Sequence, residues 1–258
     1  MQKESIKFEA SNVFEGMTSI RAVIRGIDDA ITDRKILRVL FDKTRLSKIH
    51  KEVGYLRAIS SKYSFDLVES NAEELENITL GSSHGGLVAI TTERHFPVIT
   101  TETSLSDRGF YVMLDGIEDP YNFGYSLRSL YAMGCDGIVL NERNWMSAAG
   151  VVARSSAGAS ELFNIYTTNG DGVCDIFHSR GYTVVCADEN TENILGKCEL
   201  KKPVLLIVGG EKRGISKKLI EKCDMRVKID YAREFRASLS AASATTMFAY
   251  EINRQNIK

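Results

Sequence analysis

Residues 114–135 read LDGIEDPYNFGYSLRSLYAMGC. An apolar run, FYVMLDG, ends in Asp-Gly. Asp119-Pro120 follows, then Asn122, Gly124 and Arg128, and only then the apolar face of a helix. Pro120 fixes one backbone angle of the turn. Asn122 is placed to cap the helix, its side chain taking up free N–H groups. Gly124 keeps the first turn open to close approach, and Arg128 lies one turn on, on the same face. A guanidinium beside a helix N-terminus favours an anion. A capped helix with a solvated arginine accounts for the same residues.

Strand and helix alternate outward from this stretch. On its C-terminal side the strands are DGIVL, NIYTT, YTVVCADE, PVLLIVGG and MRVKID. Between and after them come MSAAGVVARSSAGA, GVCDIFHSRG, ISKKLIEKC and the terminal SLSAASATTMFAYEINRQ, all helical in pattern. Short apolar strands alternating with helices predict a mostly parallel sheet covered on both faces. Ligands in such sheets sit at the carboxyl ends of strands, which directs attention to DGIEDPYNFG, ADEN, GGEKRG and DYAREFRAS. On the N-terminal side, residues 17–31 and 49–63 have helical periodicity, and KILRVLFDK and GGLVAITTE read as strands. Residues 64–84 read as turn-rich. FPVITTETSLSDRG has a proline, many hydroxyl residues and no apolar period, so it reads as a linker. The expected organisation is a small α/β domain over 1–95, a linker over 96–108 and a second α/β domain over 109–258.

Composition narrows the classes. Apolar residues make up 43% of the 258 and charged residues 26%, as in ordinary globular proteins, and no run reaches the length of a membrane helix. The N-terminus lacks the apolar core of a signal peptide. Five cysteines with no CxxC pair and four scattered histidines predict reduced thiols, a cytoplasmic location and no bound metal. The net charge is −1, yet residues 25–62 carry ten Lys/Arg against five acids and 201–236 carry eleven against five. These two basic regions read either as solvated helix faces or as an RNA-binding surface.

GGEKRG follows an apolar strand and has the GxxxxG spacing of a phosphate loop, but Ile215-Ser216 stands where Lys-Ser/Thr is needed. A nucleoside triphosphatase is therefore disfavoured. GxGxxG after the first strand and a GxSxG elbow are both absent, which argues against a dinucleotide fold and against covalent acyl transfer.

Taken together, the motifs are more specific than any one of them. Residues 114–140 resemble the first signature of the SpoU/TrmH family of RNA ribose 2′-O-methyltransferases, in which D-P-x-N-x-G-x-x-x-R follows a strand. LLIVGGEKRGIS resembles the second signature, and VKIDYAREFRASLSAASATTMFAYE the third. RSSAGASELFNIY looks like the intervening Ser-x-Gly-Ala segment. Residues 14–92 look like the small substrate-binding domain, of ribosomal-protein type, that many members carry.

The resemblance implies a SPOUT-type parallel sheet with a C-terminal trefoil knot, S-adenosyl-L-methionine as cofactor, RNA (rRNA before tRNA) as substrate, and a homodimer with no role for membrane or DNA. It implies catalytic roles for Asn122, Arg128, Glu211 and Ser238, with Arg128 steadying the reacting oxygen or a phosphate and Glu211 orienting Arg128 by ion pairing or acting through the loop. It implies cofactor contacts at Ala187, Gly209, Gly210, Gly214, Ile229, Leu239 and Ser240. Two departures stand out. Ser240 replaces the family's asparagine, with a water expected to bridge the shortened reach, and Ile-Asp-Tyr replaces Ile-Pro-Met. An RNA-binding protein of the same fold that has lost catalysis is the alternative.

Overall fold

The structure, a computed structural model, describes residues 12–79, 84–141, 148–235 and 237–257. The chain divides into two compact units. The first takes in residues up to 95 together with 144–162; the second takes in 96–143 and 163–258.

The first unit contains β1 (Val13–Glu15), α1 (Gly16–Asp28), β2 (Ile36–Asp42), α2 (Leu46–Tyr63), β3 (Asp66–Ser70), α3 (Ala72–Ile78), β4 (Leu87–Thr91) and, from further along, α5 (Ala149–Ser155). Its sheet has the order β1-β4-β2-β3, antiparallel except for the parallel β2–β3 pair. Phe14, Ile20, Val23, Val39, Phe41 and Leu56 fill its core, with Ala153 of α5 among them. β3 and α3 occupy the region expected to be turns. The helix signal there is Asn71-x-x-Glu74, and the Asn71 side chain does accept the Glu74 N–H at 3.0 Å.

Residues 148–162 read as part of the second domain but pack with the first. Gly26 makes the approach feasible: a Cβ there would lie 2.4 Å from the Glu161 carbonyl oxygen. Arg34 and Glu161 are both almost fully buried and paired at 3.0 Å. The Arg34 guanidinium also donates to the Thr92 carbonyl and lies 4.8 Å over the Phe14 ring. Arg154 pairs with Glu15 at 2.9 Å. Neither ion pair is visible in local sequence, because each joins residues more than a hundred positions apart.

The second unit contains β5 (Phe110–Asp115), α4 (Pro120–Ala132), β6 (Gly137–Asn141), β7 (Asn164–Thr168), α6 (Gly172–Ser179), β8 (Thr183–Ala187), β9 (Val204–Gly209), α7 (Lys217–Lys222), β10 (Met225–Val227) and α8 (Ala241–Asn256). Its six strands are all parallel, in the order β10-β8-β9-β5-β6-β7. β5 is buried along its whole length and β9 along nearly all of it, as a doubly covered parallel sheet requires. The chain runs outward from β5 to β7 on one side and then returns to build the other side, so the order reverses at β5/β9. That is where such a sheet opens a crevice at its carboxyl edge. Residues 96–108, read as a linker, belong to this unit: Ile99 is buried, its N–H donates to the Thr167 carbonyl, and Thr167 N–H donates to the Pro97 carbonyl.

Candidate active site at the carboxyl edge of the parallel sheet

Two loops meet at the β5/β9 edge, and the residues that shape them are set by simple capping and packing rules. After β5 the chain turns at Gly116, and Asp119 caps α4: its carboxylate accepts the N–H of Tyr121 at 2.6 Å and of Asn122 at 3.2 Å. Pro120 occupies the first helical position, where a missing N–H costs nothing. The expected cap, Asn122, is one turn too far along. Its side chain is thereby free to point out of the helix.

After β9 the loop 209–216 folds back on itself, with Gly214 N–H donating to the Gly210 carbonyl at 2.9 Å. The loop is pressed onto the end of β5. A Cβ on Gly210 would lie 2.1 Å from the Gly116 carbonyl oxygen, so only glycine fits there.

Glu211, at the loop tip, joins the pieces. Its Oε1 accepts the Asn122 Nδ2 at 2.9 Å and the N–H of Ala241, the first residue of α8, at 3.2 Å. A carboxylate at a helix N-terminus is favoured by the helix dipole. The neighbouring pair Lys212–Glu118, at 3.1 Å, is exposed and contributes little.

Two cavities open around this junction. The larger, about 760 Å³, lies beyond the ends of β8, β9 and β10 and is closed by residues 228–235, Ser238, Leu239 and the start of α8. The smaller, about 420 Å³, lies between the 116–119 turn, Asn122 and Lys212. Glu211 and Ala241 belong to both walls.

Six of the expected cofactor residues line the larger cavity: Ala187, Gly209, Gly210, Gly214, Ile229 and Leu239. Ser238, expected to be catalytic, lines it too. Ser240 does not. Its hydroxyl caps α8, accepting the Ser243 N–H at 3.1 Å. Asn122 faces the smaller cavity. Arg128 lines neither; it is exposed on α4 and makes no hydrogen bond or ion pair among the described residues. Of the two roles expected for Glu211, ion pairing with Arg128 or action through the loop, the pair is not formed; Glu211 bonds Asn122 and Ala241 instead.

Several residues escape the sequence reading. Tyr231, in the Ile-Asp-Tyr that replaces Ile-Pro-Met, accepts the Leu239 N–H on its hydroxyl at 3.2 Å and so closes the 231–239 loop. Its ring is near that of Phe235, with centroids 6.1 Å apart, and both rings are partly exposed at the cavity mouth. Cys186 lies directly behind Ala187, and burial, reinforced by Cys223, pushes its thiol well above the ordinary range.

The walls fit a nucleoside-bearing cofactor. Glycine backbone lies open on one side, Ile215, Val227, Ile229 and Leu239 supply an apolar wall, and the volume is in the range of small-ligand pockets.

The chain is similar to known proteins. The profile of the SpoU rRNA Methylase family matches residues 109–250. YacO of Bacillus subtilis, whose name places it among TrmH family tRNA/rRNA methyltransferases, is 30% identical over 151 residues; the match covers 58% of this chain and 60% of YacO. Among solved structures, an AdoMet-bound rRNA methyltransferase from Sinorhizobium meliloti superposes with a TM-score of 0.78 at 23% identity, covering 96% of this chain and 88% of that one. AviRb from Streptomyces viridochromogenes, a SpoU methyltransferase in complex with AdoMet, gives 0.75 at 22% identity, covering 94% and 89%. At these identities the structural likeness is one of fold.

Proposed function

Because the chain belongs to the SpoU rRNA methylase family, we propose that it is an S-adenosylmethionine-dependent RNA methyltransferase that methylates a ribose 2′-hydroxyl, in ribosomal rather than transfer RNA. The observation that carries this reading is the junction of two cavities at Glu211 and Ala241, one walled by glycine backbone and the other by Asn122. S-adenosylmethionine supplies an electrophilic methyl group when bound in the larger cavity. The smaller cavity takes the acceptor ribose.

The chain's own residues then divide the work. Gly209, Gly210, Gly214, Ile229 and Leu239 hold the cofactor through backbone and apolar contact, with Ala187 at the cavity floor. Glu211 keeps the Asn122 amide turned toward the acceptor, and Asn122 orients the ribose. Ser238 lines the larger cavity. Arg128 brings a guanidinium, which suits it to steady the developing oxyanion or the neighbouring phosphate rather than to act as a base. In this reading Arg128, which lines neither cavity of its own chain, serves the site of a second copy. A homodimer also covers the exposed Tyr121 and Tyr125 of α4 and Met247 and Tyr250 of α8.

The first unit is the RNA-binding domain in this reading, and its presence favours rRNA. Of the cations in 25–62, Arg34 is buried with Glu161, Arg25 pairs with Asp29 and Lys62 with Asp28. Lys43, Lys48, Lys51 and Arg57, all exposed in or just before α2, are left to meet phosphates.

Calorimetry of the full chain with S-adenosylmethionine is expected to show one site per chain, and mapping of 2′-O-methyl groups in cells with and without the gene is expected to show one lost position in rRNA. Binding without any lost methyl group would leave an RNA-binding relative that has lapsed in catalysis. A lost methyl in tRNA would overturn the choice of substrate.

A further inference from the structure

Asp115, the last residue of β5, is 6% exposed and stands at the base of the cofactor loop. Both feet of that loop rest on it. The Gly210 N–H donates to the Asp115 carbonyl at 2.7 Å, and the Ser216 N–H donates to its Oδ2 at 3.0 Å. The other carboxylate oxygen, Oδ1, accepts Asn141 Nδ2 at 2.5 Å from the neighbouring end of β6. One residue thus fixes the span from Gly210 to Ser216, the stretch that supplies Glu211 and much of the glycine wall.

We propose that Asp115 and Asn141 form a positioning pair that sets the shape of the 210–216 loop, and through it the cofactor cavity and the reach of Glu211. The pair touches neither cofactor nor acceptor; it acts through the loop. The arrangement is specific in its donors and acceptors. Ser216 offers a backbone N–H, so Asp115 must present an acceptor there. Asn141 presents its amide N–H₂, so Asp115 must present an acceptor there too, and only a carboxylate does both at once. Ser216 is the N-cap residue of α7, and the Asp115 carboxylate is the acceptor its backbone N–H meets among the described residues. The inference rests on reading the larger cavity as the cofactor site.

The test uses the full chain in four forms: wild type, Asp115→Ala, Asn141→Asp and the double exchange Asp115→Asn with Asn141→Asp. Asp115→Ala frees the Ser216 amide. Asn141→Asp sets two carboxylates against each other. In the double exchange the asparagine now ending β5 accepts from Ser216 and donates to the aspartate now ending β6, so the geometry is restored with the roles reversed. S-adenosylmethionine affinity by calorimetry is expected to fall about 5- to 100-fold in each single variant, as for an unmade buried hydrogen bond, and to return to near wild type in the double exchange. Hydrogen–deuterium exchange is read alongside, without cofactor: the Ser216 amide is expected to lose protection in both single variants and regain it in the double one. Should Asp115→Ala fail to fold, Asn141→Asp and the double exchange carry the comparison. Unchanged protection at Ser216 in the single variants, or a double exchange no better than Asn141→Asp, would overturn the proposal. If the wild-type chain binds no S-adenosylmethionine, the cofactor reading fails, while the exchange data still decide whether the pair holds the loop.

Discussion

Ser240 stands where the SpoU pattern has asparagine, and its hydroxyl caps α8 through the Ser243 N–H. Asparagine caps as well as serine does, whereas alanine loses the bond. Ser240→Asn is therefore expected to leave S-adenosylmethionine affinity within a few-fold by calorimetry. Ser240→Ala is expected to cost about 1 kcal/mol in urea unfolding. Arg128 carries the opposite expectation: with no place in either cavity wall, Arg128→Ala should abolish methyl transfer in a radiolabelled assay yet leave cofactor affinity unchanged. Normal turnover would remove Arg128 from the site. The residue types of the site are readable in sequence because each sits in a short motif: glycines at 209, 210 and 214, an amide at 122, a carboxylate at 211. The pairings are not. Glu211 meets Asn122 across 89 positions, and nothing in either motif distinguishes that partner from Arg128. Asp115 gives no signal of its own, because the last residue of an apolar strand reads as a place to stop rather than as a support.

Among the elements, α8 holds the second unit together at both ends. Its N-terminus meets Glu211, and its last turns fasten the 198–202 segment: Gln255 accepts the Leu200 N–H, and Asn256 accepts the Lys202 N–H. Glu251 organises that end. Hydrogen bonds from Arg254 hold its carboxyl down at about 2 against an ordinary 4.5; burial opposes the shift and Gln255 adds to it. A depressed carboxyl stabilises the fold fully above its unfolded pKa and stops doing so as pH falls through the folded one. Wild type is thus expected to lose stability between pH 4.5 and 2 more steeply than Glu251→Gln, as read from urea midpoints at stepped pH. Helices and strands of the parallel sheet are legible because apolar runs and turn residues alternate cleanly. β3 and α3 are not, because their acid-rich stretch has one strongly buried apolar side chain, Leu75, and too little period to read.

For the molecule as a whole, the decisive departure from the sequence reading is that residues 144–162 belong with the first unit. Glu161→Ala should then leave Arg34 buried without its counter-charge, at a cost of about 3–5 kcal/mol in unfolding of the first unit. A fragment running from 107 to 258, which the sequence suggests as a self-sufficient module, should leave the apolar face of α5 without its packing partners, since Ala153 belongs to the core of the first unit. It is expected to aggregate on size-exclusion chromatography where the full chain does not. No local pattern announces such an exchange, because amphipathic helices look alike whichever core they serve. The arrangement also bears on how the protein is made. A ribosome delivers residues in order, at about 5–20 per second, and the first unit has to wait for Glu161, roughly 70 residues beyond its last contiguous position. During that interval of several seconds the nascent N-terminal chain has Arg34 but no Glu161 to bury it with. The unit encoded first is therefore completed only after the first strands of the second unit have been made, and a translational pause placed before residue 162 is expected to lengthen the association of the nascent chain with chaperones, while one placed after it is not.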